Sequence, residues 1–109
     1  MPHIRIRAMS ESEIKNLSKK LPVELAKILK ITEDSFTVEK VETVFYKDGV
    51  VTPGDPMIEI LWFDRGPELK EACAIKTTDI ARELTRAEFL AVVFTALPKD
   101  SYFENGQHF

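Results

Sequence analysis

The sequence predicts a single α+β domain with the element order β-α-β-β-α-β, two pseudo-symmetric βαβ halves that form a four-stranded sheet with two helices on one face. Three observations predict it. The chain opens on strictly alternating apolar residues, two stretches repeat their apolar residues at helical spacing, and turn-forming dipeptides divide the halves near the middle. With 109 residues, 44% hydrophobic and 30% charged, the chain suits one domain spanning residues 1–109 around one core.

In residues 2–8, His3, Arg5 and Arg7 point one way while Ile4, Ile6 and Ala8 point the other, the two-residue period of a half-buried strand. Ser10 followed by Glu13 forms a capping-box pattern, in which each side chain satisfies a backbone N–H at a helix start. Ile14, Leu17, Leu21, Leu25 and Ile28 then run at helical spacing, which predicts a helix reaching Lys30 with a kink or restart at Pro22. Residues 36–46 are rich in β-branched and aromatic side chains and predict a second strand. Asp48-Gly49 and Pro53-Gly54-Asp55-Pro56 punctuate the chain before a nearly unbroken apolar third strand over residues 57–63. Gly66-Pro67 opens a second helix with Leu69, Cys73, Ile80 and Leu84 on one side, residues 89–97 predict a fourth strand, and residues 98–109 read as an irregular tail.

A strand that returns to its own sheet through a helix pairs in parallel with a right-handed crossover, so both helices are expected on one face. The third and fourth strands offer apolar side chains to both faces, which calls for a cover on the opposite face, namely another subunit. The ferredoxin-like arrangement shares this order of elements, and strand order in the sheet separates the two.

The net charge of -3 comes from scattered acids and bases with no run of lysine or arginine, which argues against nucleic acid as a partner. No stretch approaches the roughly 20 apolar residues that span a bilayer, and the start of the chain is too polar for a secretion signal, so no membrane association and a cytoplasmic location are expected. Cys73 is the sole cysteine and lies on an apolar stripe, which predicts a buried, inert thiol and no internal disulfide. His3 and His108 lack partners at a metal-ligand spacing, so neither a metal nor a cofactor is expected.

Pro2 is the candidate catalytic residue. Bacterial processing removes an initiator methionine that precedes proline, which turns the ring nitrogen into a secondary amine. An α-amino group titrates at about 8 unperturbed, and burial or nearby cations such as Arg5 and Arg7 pull it toward neutrality, where a general base works best. Arg5 and Arg7 are also placed to pair across strands with Glu39 or Glu59.

Met1-Pro2 running directly into a strand, two βαβ halves in little more than a hundred residues, and the aromatic and asparagine tail together resemble the tautomerase superfamily over the full length. The size matches the long subunits typified by macrophage migration inhibitory factor. Met1-Pro2-His3-Ile4-Arg5-Ile6-Arg7, Ile60-Leu61-Trp62-Phe63-Asp64-Arg65-Gly66 and Tyr102-Phe103-Glu104-Asn105-Gly106-Gln107-His108-Phe109 resemble an uncharacterised bacterial branch, a domain of unknown function. The resemblance implies a homotrimer, with three sheets around a central barrel and a pocket beside each Pro2 near a subunit junction. It also implies proton transfer between carbon and oxygen of a small carboxylate-bearing enol or keto acid.

On that pattern Arg65 grips the carboxylate, backbone N–H groups near Phe63 and at the second helix start assist, and Arg7 is the second-choice ligand. Tyr102, with Phe103, either walls the pocket of a neighbouring subunit or pins the tail to the body. Two features depart from the family pattern. The tyrosine and asparagine that cytokine-like relatives carry on the fourth strand are replaced by Leu90-Ala91-Val92-Val93, and Thr32-Glu33-Asp34-Ser35 stands where those relatives place a basic residue. The alternative to an enzyme is a non-catalytic trimeric scaffold or small-molecule-binding protein on the same fold.

Overall fold

A computed structural model describes residues 1–108. Strand β1 (His3–Arg7) leads into helix α1 (Glu11–Leu29), a short 3-10 turn at Glu33–Ser35 and strand β2 (Thr37–Lys40). The hairpin β3 (Phe45–Lys47) and β4 (Val50–Thr52) follows, then β5 (Met57–Trp62), helix α2 (Pro67–Leu84) and β6 (Ala91–Ala96). A second 3-10 turn, Lys99–Ser101, precedes a small terminal hairpin of β7 (Phe103–Glu104) and β8 (Gln107–His108).

The main sheet has the order β2-β1-β5-β6. Each βαβ half pairs its strands in parallel, β1 with β2 and β5 with β6, while β1 and β5 meet antiparallel at the centre, with Arg5 opposite Glu59. Alternation along β1 and β5 turns Ile4, Ile6, Ile58, Ile60 and Trp62 to the helix-covered face. Leu17, Leu21, Leu25 and Leu29 of α1 and Cys73, Ile80 and Ala81 of α2 close over them as one core. Thr77 is buried among these groups, a polar residue inside the α2 stripe.

Local chemistry sets the helix ends. Ser10 and Glu13 make the reciprocal capping box at the start of α1. The helix ends at Lys30 in the left-handed conformation, with the Ile31 amide turned back to the carbonyl of Ala26 at 3.1 Å. Pro22 neither ends nor restarts α1, which is assigned as one helix from Glu11 to Leu29.

Several boundaries differ from the expectation. The stretch 36–46 is not one strand: β2 stops at Lys40, and Phe45–Lys47 pairs instead with Val50–Thr52. Asp48-Gly49 is responsible, both residues taking positive φ of 52° and 79°, the backbone that turns two strands back on each other in a tight hairpin. The fourth strand begins at Ala91, leaving Phe89 outside it and 62% exposed. The tail contains the β7–β8 hairpin, turning at Asn105-Gly106.

The open face of the sheet carries the cross-strand pairs expected of Arg5, which bridges Glu39 at 2.7 Å and Glu59 at 3.5 Å, and Thr95 donates to Glu59 at 2.8 Å. Apolar exposure is concentrated instead on the β3–β4 arm, where Val44, Tyr46, Val50 and Val51 are each more than half exposed, with Phe89 also exposed.

Candidate functional site

A cavity of ≈ 620 Å³ opens where β1 begins and β5 ends. The sheet order explains the placement: β1 and β5 are antiparallel neighbours, so the start of one lies beside the end of the other, and the C-terminal end of α1 comes down next to both. The cavity is lined by Pro2, His3, Trp62, Phe63, Arg65 and Tyr102, together with Leu29 of α1 and Lys99 of the second 3-10 turn.

Pro2 is fully buried, and its carbonyl accepts the Thr37 amide at 3.2 Å, which ties the start of β1 to β2. Met1 precedes it, so its nitrogen is in peptide linkage, and the Met1 amine donates to the carbonyl of Ser35. Burial holds that amine below its ordinary value of 8.0, with the Glu104 carboxylate pulling the other way.

Arg65 stands in the turn between β5 and α2, where Asp64 accepts the Gly66 amide at 2.8 Å and Pro67 opens the helix. Its guanidinium donates to the carbonyl of Leu29 at 3.0 Å, satisfying one of the last acceptors of α1. Among the described residues it makes no ion pair, neither with Asp64 nor with Glu68; Asp64 instead lies 3.9 Å from Lys70. Four of the guanidinium's five N–H donors therefore remain for other acceptors.

Phe63 and Tyr102 meet edge to face with ring centroids 5.4 Å apart. The Tyr102 hydroxyl lies 2.8 Å from His3 Nε2, while His3 Nδ1 lies 2.6 Å from Thr37 Oγ1. Burial lowers the His3 pKa below 6.5, aided by the positive terminus and opposed by Glu104 and Glu39. The Lys99 ammonium sits 5.7 Å from the centre of the Phe63 ring. Trp62 forms part of the cavity wall, and its buried indole N–H has no hydrogen-bond partner among the described residues.

The fold thus brings four sequence candidates, Pro2, Arg65, Phe63 and Tyr102, to one cavity. Arg7 is not with them. At roughly 3.3 Å per residue, the five steps from Pro2 carry it about 17 Å along β1. There it lines a different hollow with Arg5, Val41, Met57 and Glu59 and donates to the Met57 sulfur at 3.1 Å. Three participants escaped sequence reasoning. The sequence reads His3 only for metal binding, Trp62 only as part of the third strand and of the family-like stretch 60–66, and Lys99 only as part of an irregular tail. Only His3, one residue from Pro2 on the polar side of a strand, carried a local signal. Among the described residues no cluster of three or more His, Cys, Asp or Glu could hold a metal ion. No helix there is long and apolar enough to cross a membrane.

Comparison with known proteins places this arrangement. The model of the family described as "Domain of unknown function (DUF1904)" matches residues 1–108. The chain belongs to this family. A DUF1904 domain from Sebaldella termitidis, solved by crystallography, is 37% identical over 100% of both chains, with a TM-score of 0.93. The DUF1904 fold is also that of the tautomerases. The macrophage migration inhibitory factor-like protein of Entamoeba histolytica covers 99% of this chain and 98% of its own at TM-score 0.74 and 14% identity. Fused 4-OT, described as an asymmetric trimer, covers 97% of this chain and 94% of its own at TM-score 0.83 and 15% identity. At those identities the likeness is one of fold. A search of curated proteins gives no match.

Proposed function

We propose that this DUF1904 protein is a cytoplasmic, tautomerase-type isomerase that moves a proton between carbon and oxygen of a small carboxylate-bearing enol or keto acid. The observation that carries this reading is the meeting of Pro2, Arg65, Phe63 and Tyr102 around one cavity. Removal of Met1 makes the Pro2 nitrogen a secondary amine. Pro2 is buried at the cavity wall, and burial disfavours the charged form of an amine, the direction a general base needs. Arg65 holds the carboxylate, with Lys99 as a second cation at the cavity wall. Phe63 and Tyr102 wall the ligand, and N–H groups near Phe63 and at the start of α2 complement developing negative charge.

The active form is a homotrimer on this reading. Support comes from the fused 4-OT trimer of the same fold and from the β3–β4 arm, where Val44, Tyr46, Val50 and Val51 are exposed and available to a second copy.

A second reading has its own observation. With Met1 in place its amine closes onto Ser35 and Pro2 is acylated, an arrangement that binds small molecules without a base. One experiment separates them: intact mass of untagged protein, light scattering, and conversion of phenylenolpyruvate by the natural chain and by Pro2→Ala. Loss of Met1, a trimeric mass and a rate that falls at least 10²-fold in Pro2→Ala are expected. Equal rates in the two chains would remove Pro2 from the mechanism, and no turnover by either would leave the binding protein as the function.

A further inference from the structure

The imidazole of His3 bridges two hydroxyls at the cavity wall, 2.6 Å from Thr37 Oγ1 through Nδ1 and 2.8 Å from the Tyr102 oxygen through Nε2. Thr37 and Tyr102 both line the cavity. The Tyr102 ring is fixed on two sides, stacked at 27° on the imidazole and edge-on against Phe63. A serviceable hydrogen-bond donor needs this kind of fixation, because a donor that must reorganise during the reaction loses most of its worth.

Burial, with the positive terminus beside it, lowers the His3 pKa below 6.5, which favours the neutral imidazole at pH 7. A neutral imidazole has one N–H and one bare nitrogen, so it donates to one hydroxyl and accepts from the other. The three groups therefore form a chain with a direction. Run from Tyr102 to Thr37, the phenol proton is spent on His3. Run from Thr37 through His3 to Tyr102, the phenol oxygen accepts from Nε2–H and presents its own proton onward. An anionic oxygen in the cavity selects the second direction, because a charge-assisted hydrogen bond is about twice as strong as a neutral one and successive bonds polarise each other.

We propose that His3 is a positioning residue, held by Thr37, that orients and polarises the Tyr102 hydroxyl as the hydrogen-bond donor to the enolate oxygen of the substrate. The inference rests on the tautomerase reading and adds to it. In the keto-to-enol direction the substrate C–H bond breaks, its proton goes to the Pro2 nitrogen and the electron pair shifts to the carbonyl oxygen. That oxygen, now an enolate, accepts the Tyr102 hydrogen bond. Pro2 then passes the proton to it. Tyr102 keeps its proton throughout.

Two measurements on the full chain test the relay. The first is a mutant cycle on phenylenolpyruvate turnover with Tyr102→Phe, His3→Ala, the double variant, His3→Gln and Pro2→Ala. Tyr102→Phe is expected to lower kcat by about 10²–10³ with little change in KM. His3→Ala is expected to lower it about 10-fold, with the double variant no slower than Tyr102→Phe alone and partial rescue by His3→Gln, whose amide restores an N–H. Additive losses, or losses confined to KM, overturn the relay. Full activity in Pro2→Ala overturns Pro2 as the base, and no turnover by the natural chain overturns the tautomerase reading instead. The second measurement stands apart from turnover: nitrogen-15 NMR of the His3 ring in phenylpyruvate at saturating concentration. Protonated Nε2 with bare Nδ1 is expected, and the opposite tautomer or an imidazolium overturns the relay whatever the kinetics.

Discussion

Replacing Arg65 by methionine separates two tasks of one guanidinium. In the fold it donates to the Leu29 carbonyl at 3.0 Å. Arg65 is otherwise exposed, so water competes for that bond and replaces it when the side chain is changed, and the loss of stability should stay within about 1 kcal/mol. Methionine keeps much of the aliphatic stem, which limits the packing loss. A carboxylate in the cavity depends on the same group differently. Stripped of the charged fork, it loses a charge-assisted pair worth about 1.5–3 kcal/mol, which is about 10-fold to 150-fold in Kd. The assay is built into the site. Trp62 lines the cavity and is the only tryptophan in the chain, so its fluorescence reports on phenylpyruvate binding, and urea unfolding gives stability on the same samples. A Kd raised at least tenfold with a nearly unchanged urea midpoint is expected. A Kd within twofold of the natural chain, with stability lowered, would show that Arg65 only finishes α1, and the anchoring argument would be refuted.

Burial pushes the Cys73 thiol from 9.0 up to about 11, so the folded chain keeps this proton at pH values where the unfolded chain has lost it. Stability attributable to it is complete below pH 9 and declines between pH 9 and 11, by up to about 2.7 kcal/mol at 1.36 kcal/mol per pH unit. Urea unfolding at pH 8 and pH 10.5 should show a smaller alkaline loss in Cys73→Ala than in the natural chain; identical losses would exclude the thiol. Gly54 has a φ of +71°, and a methyl group there would stand 2.5 Å from the Phe45 ring carbons. Gly54→Ala therefore combines about 1–2 kcal/mol of left-handed backbone strain with a displaced Phe45, and should lower Tm by roughly 5 °C or more while loosening the β3–β4 arm. An unchanged Tm would show that the arm tolerates the change and would refute the steric argument at Gly54.

Local patterns reported what local physics controls. Alternation in residues 2–8, the Ser10 and Glu13 reciprocity and the helical stripe from Ile14 to Leu25 each involve groups only a few positions apart, and each reappears in the fold. The same local logic misled for residues 36–46. β-branched composition registers a liking for extended backbone but is silent about partners, and the Asp48-Gly49 turn gave Phe45–Lys47 a nearer partner than the main sheet. It misled again on the open sheet face. Apolar residues in the third strand suggested a dry face, whereas the cross-strand pairing expected of Arg5 with Glu39 and Glu59 forms there and keeps it polar.

By itself the sequence determined the class of fold, the order of its elements and the parallel pairing within each half, and it singled out Pro2 and Arg65 as candidates, because periodicity, capping and family resemblance are all written along the chain. Only the tertiary structure decided that β1 starts where β5 ends, and hence that His3, Trp62 and Lys99 share a cavity with Pro2 while Arg7 does not. Residues 99 positions apart, such as His3 and Tyr102, come into hydrogen-bond contact through sheet order and the path of the tail. No local pattern encodes that meeting, since it depends on the three-dimensional closure of the whole chain.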